Sequence, residues 1–127
     1  MRILFIAFGG AIGATLRYIV TGAVYRFSSP VFPWGTLFVN SMGCFFIGLL
    51  SGIFERKMIS TNMKDFLLIG TIGAFTTFST YAFETINLLK ENELKLACMN
   101  IVLNNLVGIL FVIAGFQTAK FMYTILN

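Results

Sequence analysis

The sequence predicts an all-α integral membrane protein built from four closely spaced transmembrane helices. Three observations predict it: 57% of the 127 residues are hydrophobic, only 11% are charged, and the mean hydropathy is +0.87. A soluble domain carries roughly 25% charged residues. The chain therefore lacks the polar surface that a water-soluble domain of this size requires, and its length allows one domain, residues 1–127.

Four apolar stretches give the predicted helices, approximately 3–24, 34–54, 66–89 and 96–119. Each is near the ~20 residues that an α-helix needs to cross ~30 Å of hydrocarbon. The connections at 25–33, 55–65 and 90–95 are short, and the first contains the turn signals Ser-Ser-Pro and Phe-Pro. Short connections predict that sequential helices are antiparallel neighbours, with both termini on the same side of the membrane.

The basic residues at the membrane ends are divided almost evenly between the two sides. Five fall on the side of the termini: Arg2, Arg56, Lys57, Lys64 and Lys120. Three fall on the other side: Arg26, Lys90 and Lys95. This bias favours cytoplasmic termini but is small enough to permit insertion in both orientations. The basic residues form no stripe with interleaved aromatics, which argues against a nucleic-acid partner.

The sequence shows no acid–base cluster and no Cys or Ser paired with a plausible base, as an enzyme active site would require. There is no His, and all the acids except Glu84 fall at helix ends or in loops. Cys44 and Cys98 lie inside apolar runs without the spacing of metal ligands. The sequence therefore predicts that the protein is not an enzyme.

Polar residues inside the predicted spans require an explanation, because each is costly in lipid without a partner or water. The ionisable ones are Arg17 and Glu84; the amides are Asn40, Asn100, Asn104 and Asn105. Arg17 either snorkels or forms a structural ion pair, or it supplies a positive potential that draws anions into a vestibule. Glu84 is interpreted either as a structural hydrogen bond or ion pair, or as a functional charge.

The segment 70–81 lies in mid-span and is rich in Gly and Thr, which are poor helix formers. One interpretation is a helix broken between about Gly73 and Phe78, whose unpaired carbonyls face inward and form a cation site. The other is an unbroken helix in which Thr hydroxyls bond back to their own carbonyls.

Glycine pairs occur at the four-residue spacing typical of close helix contacts: Gly9 with Gly13, and Gly48 with Gly52. The sequence leaves open whether these surfaces pack within the chain or between protomers.

Three motifs make the chain similar to a known family. They are 9–18 (GGAIGATLRY), 35–40 (GTLFVN) and 73–81 (GAFTTFSTY). In this order and spacing they resemble the signatures of the CrcB/Fluc fluoride channel family, and the length and helix count agree.

The resemblance implies a fluoride-selective channel that exports cytoplasmic fluoride through the plasma (inner) membrane. It implies a dual-topology antiparallel dimer with two pores along the protomer interface and a broken third helix. It also implies one structural sodium ion at the centre, held by the carbonyls of Gly73 and Thr76.

The same resemblance assigns pore residues, namely Asn40, Phe78, Ser79, Thr80, Tyr81 and Asn104. Arg17 matches the family arginine and Glu84 the family glutamate, as vestibule or structural charges. Amide and hydroxyl groups donate hydrogen bonds that replace the water of a small anion. The positive edge of the Phe78 ring meets an anion without binding it tightly.

Two features depart from the family pattern. Tyr81 stands where the family has a second pore phenylalanine, and its hydroxyl either binds fluoride more firmly or narrows the path. On the fourth helix the matches to three polar positions are Asn104, Gly108 and Val112, of which only the first is polar. These losses make a heterodimer with a paralogue an alternative to the homodimer.

Two other functions remain as alternatives. One is a small dual-topology multidrug or cation exporter, which needs a carboxylate that is normally in the first helix, whereas this first helix carries Arg17. The other is a non-transporting membrane subunit.

Overall fold

The computed structural model describes residues 1–28 and 31–126, so Ser29 and Pro30 of the first predicted turn lie outside the described residues. Four helical spans are long and apolar enough to cross a membrane: Arg2–Phe27, Trp34–Phe54, Thr61–Lys90 and Leu94–Ile125. The described residues include no strand. The prediction of an all-α fold with four membrane-spanning helices is confirmed.

The first two spans and the last are regular helices. They are α1 (Arg2–Phe27), α2 (Trp34–Phe54) and α6 (Leu94–Leu126). The bounds of α2 agree with the prediction, whereas α1 and α6 extend beyond the predicted 3–24 and 96–119. Neither Gly nor Pro occurs in residues 120–126, so nothing in the sequence there ends α6 at the edge of its apolar stretch.

The third span changes helix type along its length. It contains α3 (Thr61–Lys64), a π-helix (Asp65–Ile72), α4 (Gly73–Phe75) and α5 (Phe78–Lys90). The backbone is extended at Thr76 (φ −83°, ψ 160°) and Thr77 (φ −151°, ψ 110°). This interruption lies within the interval 73–78 named from the sequence. The π-helix was not predicted; in it the Thr71 hydroxyl donates to the Phe66 carbonyl at 3.0 Å.

The helices pack in two tight pairs, with α1 along the π-helix and α4, and α2 along α6. Glycines permit both contacts. A Cβ at Gly13 would collide with the Thr71 carbonyl, and one at Gly48 would collide with the Val112 carbonyl. Gly9 and Gly52 likewise face their own chain. The alternative that these glycine pairs supply surfaces between protomers is therefore wrong.

Two contacts bring four helix ends together. The Arg2 Nε atom lies 2.6 Å from the Asp65 Oδ2 atom, and Asp65 is buried. The Arg56 guanidinium lies 4.7 Å from the centroid of the Tyr123 ring. The start of α1 thus meets the start of the π-helix, and the end of α2 meets the last turns of α6. Each tightly packed pair is therefore parallel, as spans 1 and 3 and spans 2 and 4 must be when sequential helices are antiparallel.

Gly48→Ala is expected to destabilise the protein, because the new methyl group must displace the α6 backbone at Val112. Overpacking of this kind costs about 1–3 kcal/mol in the free energy of unfolding. The measurement is thermal unfolding in detergent. Gly22→Ala is the matched control, since nothing lies within 4 Å of a Cβ built at Gly22. Equal stabilities of the two variants would contradict the close packing of α2 on α6.

Candidate functional site

Asn40, on α2, holds the interruption of the third span. Its Oδ1 atom accepts a hydrogen bond from the Thr77 amide at 2.8 Å, and its Nδ2 atom donates to the Thr77 carbonyl at 3.2 Å. In a continuous α-helix the Thr77 amide would donate to the Gly73 carbonyl. The Asn40 side chain therefore takes the place of a helical hydrogen bond and frees the Gly73 carbonyl.

A chain of amide side chains continues from Asn40 into α6. The second Asn40 N–H donates to Asn104 Oδ1 at 3.0 Å, and Asn104 Nδ2 donates to Asn100 Oδ1 at 2.8 Å. Asn100 is completely buried and donates to the Thr85 hydroxyl at 2.9 Å. Hydrogen bonds thus connect the broken segment through α2 and α6 back to α5. The amide groups in this network are paired with one another, as buried polar groups in low-dielectric surroundings must be.

The N-terminus of α5 begins at the middle of the third span. Thr77 is its N-cap and accepts a hydrogen bond from the Thr80 amide at 3.2 Å. The Thr77 hydroxyl lies 2.9 Å from the Thr80 hydroxyl and 3.4 Å from the Ser79 hydroxyl. A helix N-terminus carries a partial positive charge and unpaired amides, which favour anions. The predicted residues Ser79 and Thr80 belong to this polar first turn.

Arg17 reaches the same interruption from α1. Its Nη1 atom donates to the Thr76 carbonyl at 3.2 Å, so its partner is a carbonyl and not the carboxylate of an ion pair. Arg17 also lines a cavity of about 660 Å³, together with Thr36, Thr77 and Thr80. The side of the break that faces this cavity therefore combines a guanidinium with the N-terminal turn of α5.

Glu84 lies farther along α5 and connects three helices. Its Oε1 atom accepts hydrogen bonds from the Thr36 hydroxyl at 2.8 Å and the Tyr25 hydroxyl at 3.2 Å. Its Oε2 atom is buried and has no hydrogen-bond partner in the described part of the chain. Because Tyr25 and Thr36 also line the Arg17 cavity, Glu84 borders that cavity through its partners.

A second cavity, of about 280 Å³, also borders the break. Its lining includes the predicted residues Asn40, Gly73, Thr76, Phe78, Tyr81 and Asn104. The rings of Phe78 and Tyr81 meet edge to face, with centroids 5.3 Å apart and planes at 67°. Phe78 is 78% exposed in the single chain, whereas Tyr81 is 8% exposed.

The fourth helix lines the second cavity with Asn104 but not with Gly108 or Val112. A Cβ at Gly108 would contact the Cys44 sulfur, and the Val112 backbone carbonyl lies against Gly48. Asn105, one residue beyond Asn104, lines the cavity beside it.

Comparison with known proteins identifies the family. The family model described as "CrcB-like protein, Camphor Resistance (CrcB)" matches residues 4–116. The chain belongs to the CrcB family. The resemblance drawn from the three motifs is thereby confirmed.

Similar proteins of this family match almost the whole chain. The chain is 42% identical to a protein of Magnetococcus marinus, over 94% of this chain and 98% of the relative. It is 43% identical to a protein of Hydrogenovibrio crunogenus, over 94% and 92%. It is also 43% identical to a protein of Campylobacter fetus subsp. fetus, over 95% of each chain. All three relatives are named "Fluoride-specific ion channel FluC".

The carbonyls at the break fit the cation site expected of a CrcB family member. The Gly73 carbonyl has lost the Thr77 amide to Asn40, and Gly73 is exposed on the single chain. The Thr76 carbonyl accepts from Arg17, but a carbonyl oxygen has a second lone pair. Carbonyls of unwound helix segments are the ligands that sodium takes in membrane proteins.

Sequence reasoning missed several residues of the site in this CrcB chain. Thr77 was not singled out, although Thr is one of the residue types preferred at a helix N-cap. Tyr25 and Thr36 carry no sequence signal of their contact with Glu84. Asn100 and Asn105 were recognised as amides inside a span, but not as neighbours of the break.

Proposed function

We propose that this CrcB family member is a fluoride-selective channel that lets fluoride leave the cytoplasm through the plasma (inner) membrane. The observation that carries the proposal is the 42–43% identity, over at least 94% of the chain, to relatives named as fluoride-specific channels. Export would relieve fluoride toxicity, since hydrogen fluoride crosses membranes as a weak acid and dissociates inside the cell.

The geometry around the break supports passage of an anion. Arg17 and the first turn of α5 supply positive potential at mid-span, where an anion would otherwise face a large desolvation cost. The exposed edge of Phe78 offers a weak contact beyond this point. Several weak contacts in series permit conduction, because tight binding at one site would hold the ion.

The proposed assembly is an antiparallel homodimer with two pores at its interface. Two features support it: the five-to-three division of basic residues permits both orientations, and the break exposes Gly73 and Phe78 on the single chain. In the proposed dimer, the Gly73 and Thr76 carbonyls of both protomers would hold one structural sodium ion. Its charge would offset the carbonyl dipoles and tie the two broken helices together.

Fluoride flux through purified protein in liposomes tests the function. Vesicles loaded with potassium fluoride should release fluoride to an ion-selective electrode only after valinomycin provides a path for potassium, because a channel carries net charge. Vesicles loaded with potassium chloride should release no chloride. Fluoride release without valinomycin would indicate electroneutral exchange, and no release from folded protein would reject the proposal.

The dual topology predicts that reporters fused to the C-terminus signal on both faces of the membrane. Insertion of two or three Lys into the 90–95 loop should bias the chain toward one orientation and lower fluoride flux, because unpaired protomers accumulate. Insertion of the same number of Gln residues is the matched control, and it should change neither the orientation of the chain nor the fluoride flux. A wild-type signal confined to one face would reject the homodimer and favour pairing with an oppositely oriented paralogue.

A further inference from the structure

The cavity beside Phe78 raises the question of which group donates a hydrogen bond to an anion there. An anion that leaves water must find donors in its place. The hydroxyls of Thr76 and Thr77 in the cavity wall donate to the Ile72 carbonyl and the Thr80 hydroxyl. The other hydrogen-bonding side chains of the wall are the three amides and the phenol, namely Asn40, Asn104, Asn105 and Tyr81. Their hydrogen bonds can be followed individually, because each carries a known number of donors.

The amide groups of Asn40 and Asn104 have no donor to spare. An amide nitrogen carries two hydrogens. Those of Asn40 go to the Thr77 carbonyl at 3.2 Å and Asn104 Oδ1 at 3.0 Å. Those of Asn104 go to the Asn100 backbone carbonyl at 3.1 Å and Asn100 Oδ1 at 2.8 Å. Because Asn100 is completely buried and paired with Thr85, this arrangement is held in place.

Asn105 also uses both of its hydrogens. One goes to the Ile101 carbonyl at 2.7 Å, and the other goes to the Tyr81 hydroxyl at 3.3 Å. The Tyr81 oxygen thus accepts a hydrogen bond, and within the described residues its own proton has no acceptor. A hydroxyl that accepts a bond from an amide is polarised and becomes a better donor.

We infer that the Tyr81 hydroxyl donates a hydrogen bond to fluoride in this cavity, with Asn105 as the positioning residue that orients and polarises it. Asn40 and Asn104 then maintain the wall of the cavity instead of contacting the ion. The inference rests on the proposed function. The inference also gives a physical role to the tyrosine that stands in place of the family phenylalanine, because a phenylalanine at position 81 would leave the cavity without this donor. Neither Gly108 nor Val112 has a side-chain hydrogen-bond donor that could replace the hydroxyl.

Tyr81→Phe tests the inference, since it removes one oxygen and keeps the ring that packs on Phe78. We expect fluoride efflux from liposomes to fall at least about tenfold, which corresponds to the loss of one hydrogen bond to a charged partner. Tyr123→Phe removes a hydroxyl near the end of α6 and should retain wild-type efflux. Asn105→Leu should cause a smaller loss, and the double variant should conduct no worse than Tyr81→Phe alone.

A spectroscopic titration provides a readout that does not depend on flux. Sodium fluoride, but not sodium chloride, should perturb the ultraviolet absorbance of tyrosine in the wild type, and Tyr81→Phe should abolish the perturbation. Unchanged efflux in a folded Tyr81→Phe dimer would overturn the inference. A loss of efflux caused by dissociation of the dimer would also overturn it, because the hydroxyl would then bond to the partner subunit. If wild-type protein conducts no fluoride, the proposed function fails, and the titration alone decides whether Tyr81 binds the anion.

Discussion

Asn40→Asp is expected to reduce fluoride flux about 100-fold. The substitution turns two donated hydrogen bonds into contacts between a carboxylate and the oxygens of Thr77 and Asn104. Each opposed or unsatisfied polar group costs about 1–3 kcal/mol, and about 2.7 kcal/mol corresponds to two orders of magnitude in rate. A negative charge at this depth also repels an anion with little screening.

The matched control is Asn87→Asp, which makes the same change on α5 at a side chain that forms no hydrogen bond in the described structure. Flux would be measured in liposomes after size-exclusion chromatography shows that each variant remains folded and assembled. Asn40→Ala, which removes the bonds without adding charge, should give an intermediate loss. Wild-type flux through folded Asn40→Asp would show that conduction does not depend on the bonds between Asn40 and Thr77.

Arg17→Gln is expected to lower fluoride flux about tenfold and to weaken its dependence on ionic strength. The guanidinium lines the larger cavity and donates to the Thr76 carbonyl beside the break. Charges that line a cleft raise the local concentration of an oppositely charged ion by one or more orders of magnitude, and salt reduces this effect. Glutamine retains a donor for the carbonyl, so the variant separates the charge from the hydrogen bond.

Two comparisons test this interpretation of Arg17. Arg17→Lys keeps the charge and should retain most of the flux, whereas Arg17→Glu should conduct less than Arg17→Gln. Arg26→Gln removes a charge from the same cavity at the exposed end of α1, where water screens it, and should have a smaller effect. Equal flux for the wild type and Arg17→Gln at low salt would contradict an electrostatic role.

Much of the architecture could be predicted from hydropathy and local residue type. The four apolar stretches predicted four spans, because crossing hydrocarbon requires a continuous run of apolar residues whatever the tertiary fold. The Gly and Thr content of 70–81 predicted an interruption between about Gly73 and Phe78, since these residue types support a helix poorly, and the extended residues Thr76 and Thr77 lie in that interval. The order and spacing of the three motifs predicted the CrcB family.

The partners of individual groups could not be predicted, because they depend on which helix faces which. The glycine pairs have the same spacing whether they pack within the chain or between protomers, and only the fold shows Gly13 against Thr71 and Gly48 against Val112. The widening of residues 65–72 into a π-helix likewise accompanies their close contact with α1. The local sequence indicates close packing at the glycine pairs, but it does not indicate which helix is the partner in either contact.

The sequence by itself determined the membrane-spanning fold, the interval 73–78 in which the third helix could break and the set of polar residues near it. Only the tertiary structure decided which of these residues have donors left for an ion. The sequence shows Asn40 as an amide with two hydrogens to donate. Once α2, α5 and α6 are assembled, both hydrogens are donated within the fold, to the Thr77 carbonyl and to Asn104 Oδ1. A hydrogen can be donated fully to only one strong acceptor, so a donor is available to a ligand only after the internal bonds of the fold have been formed.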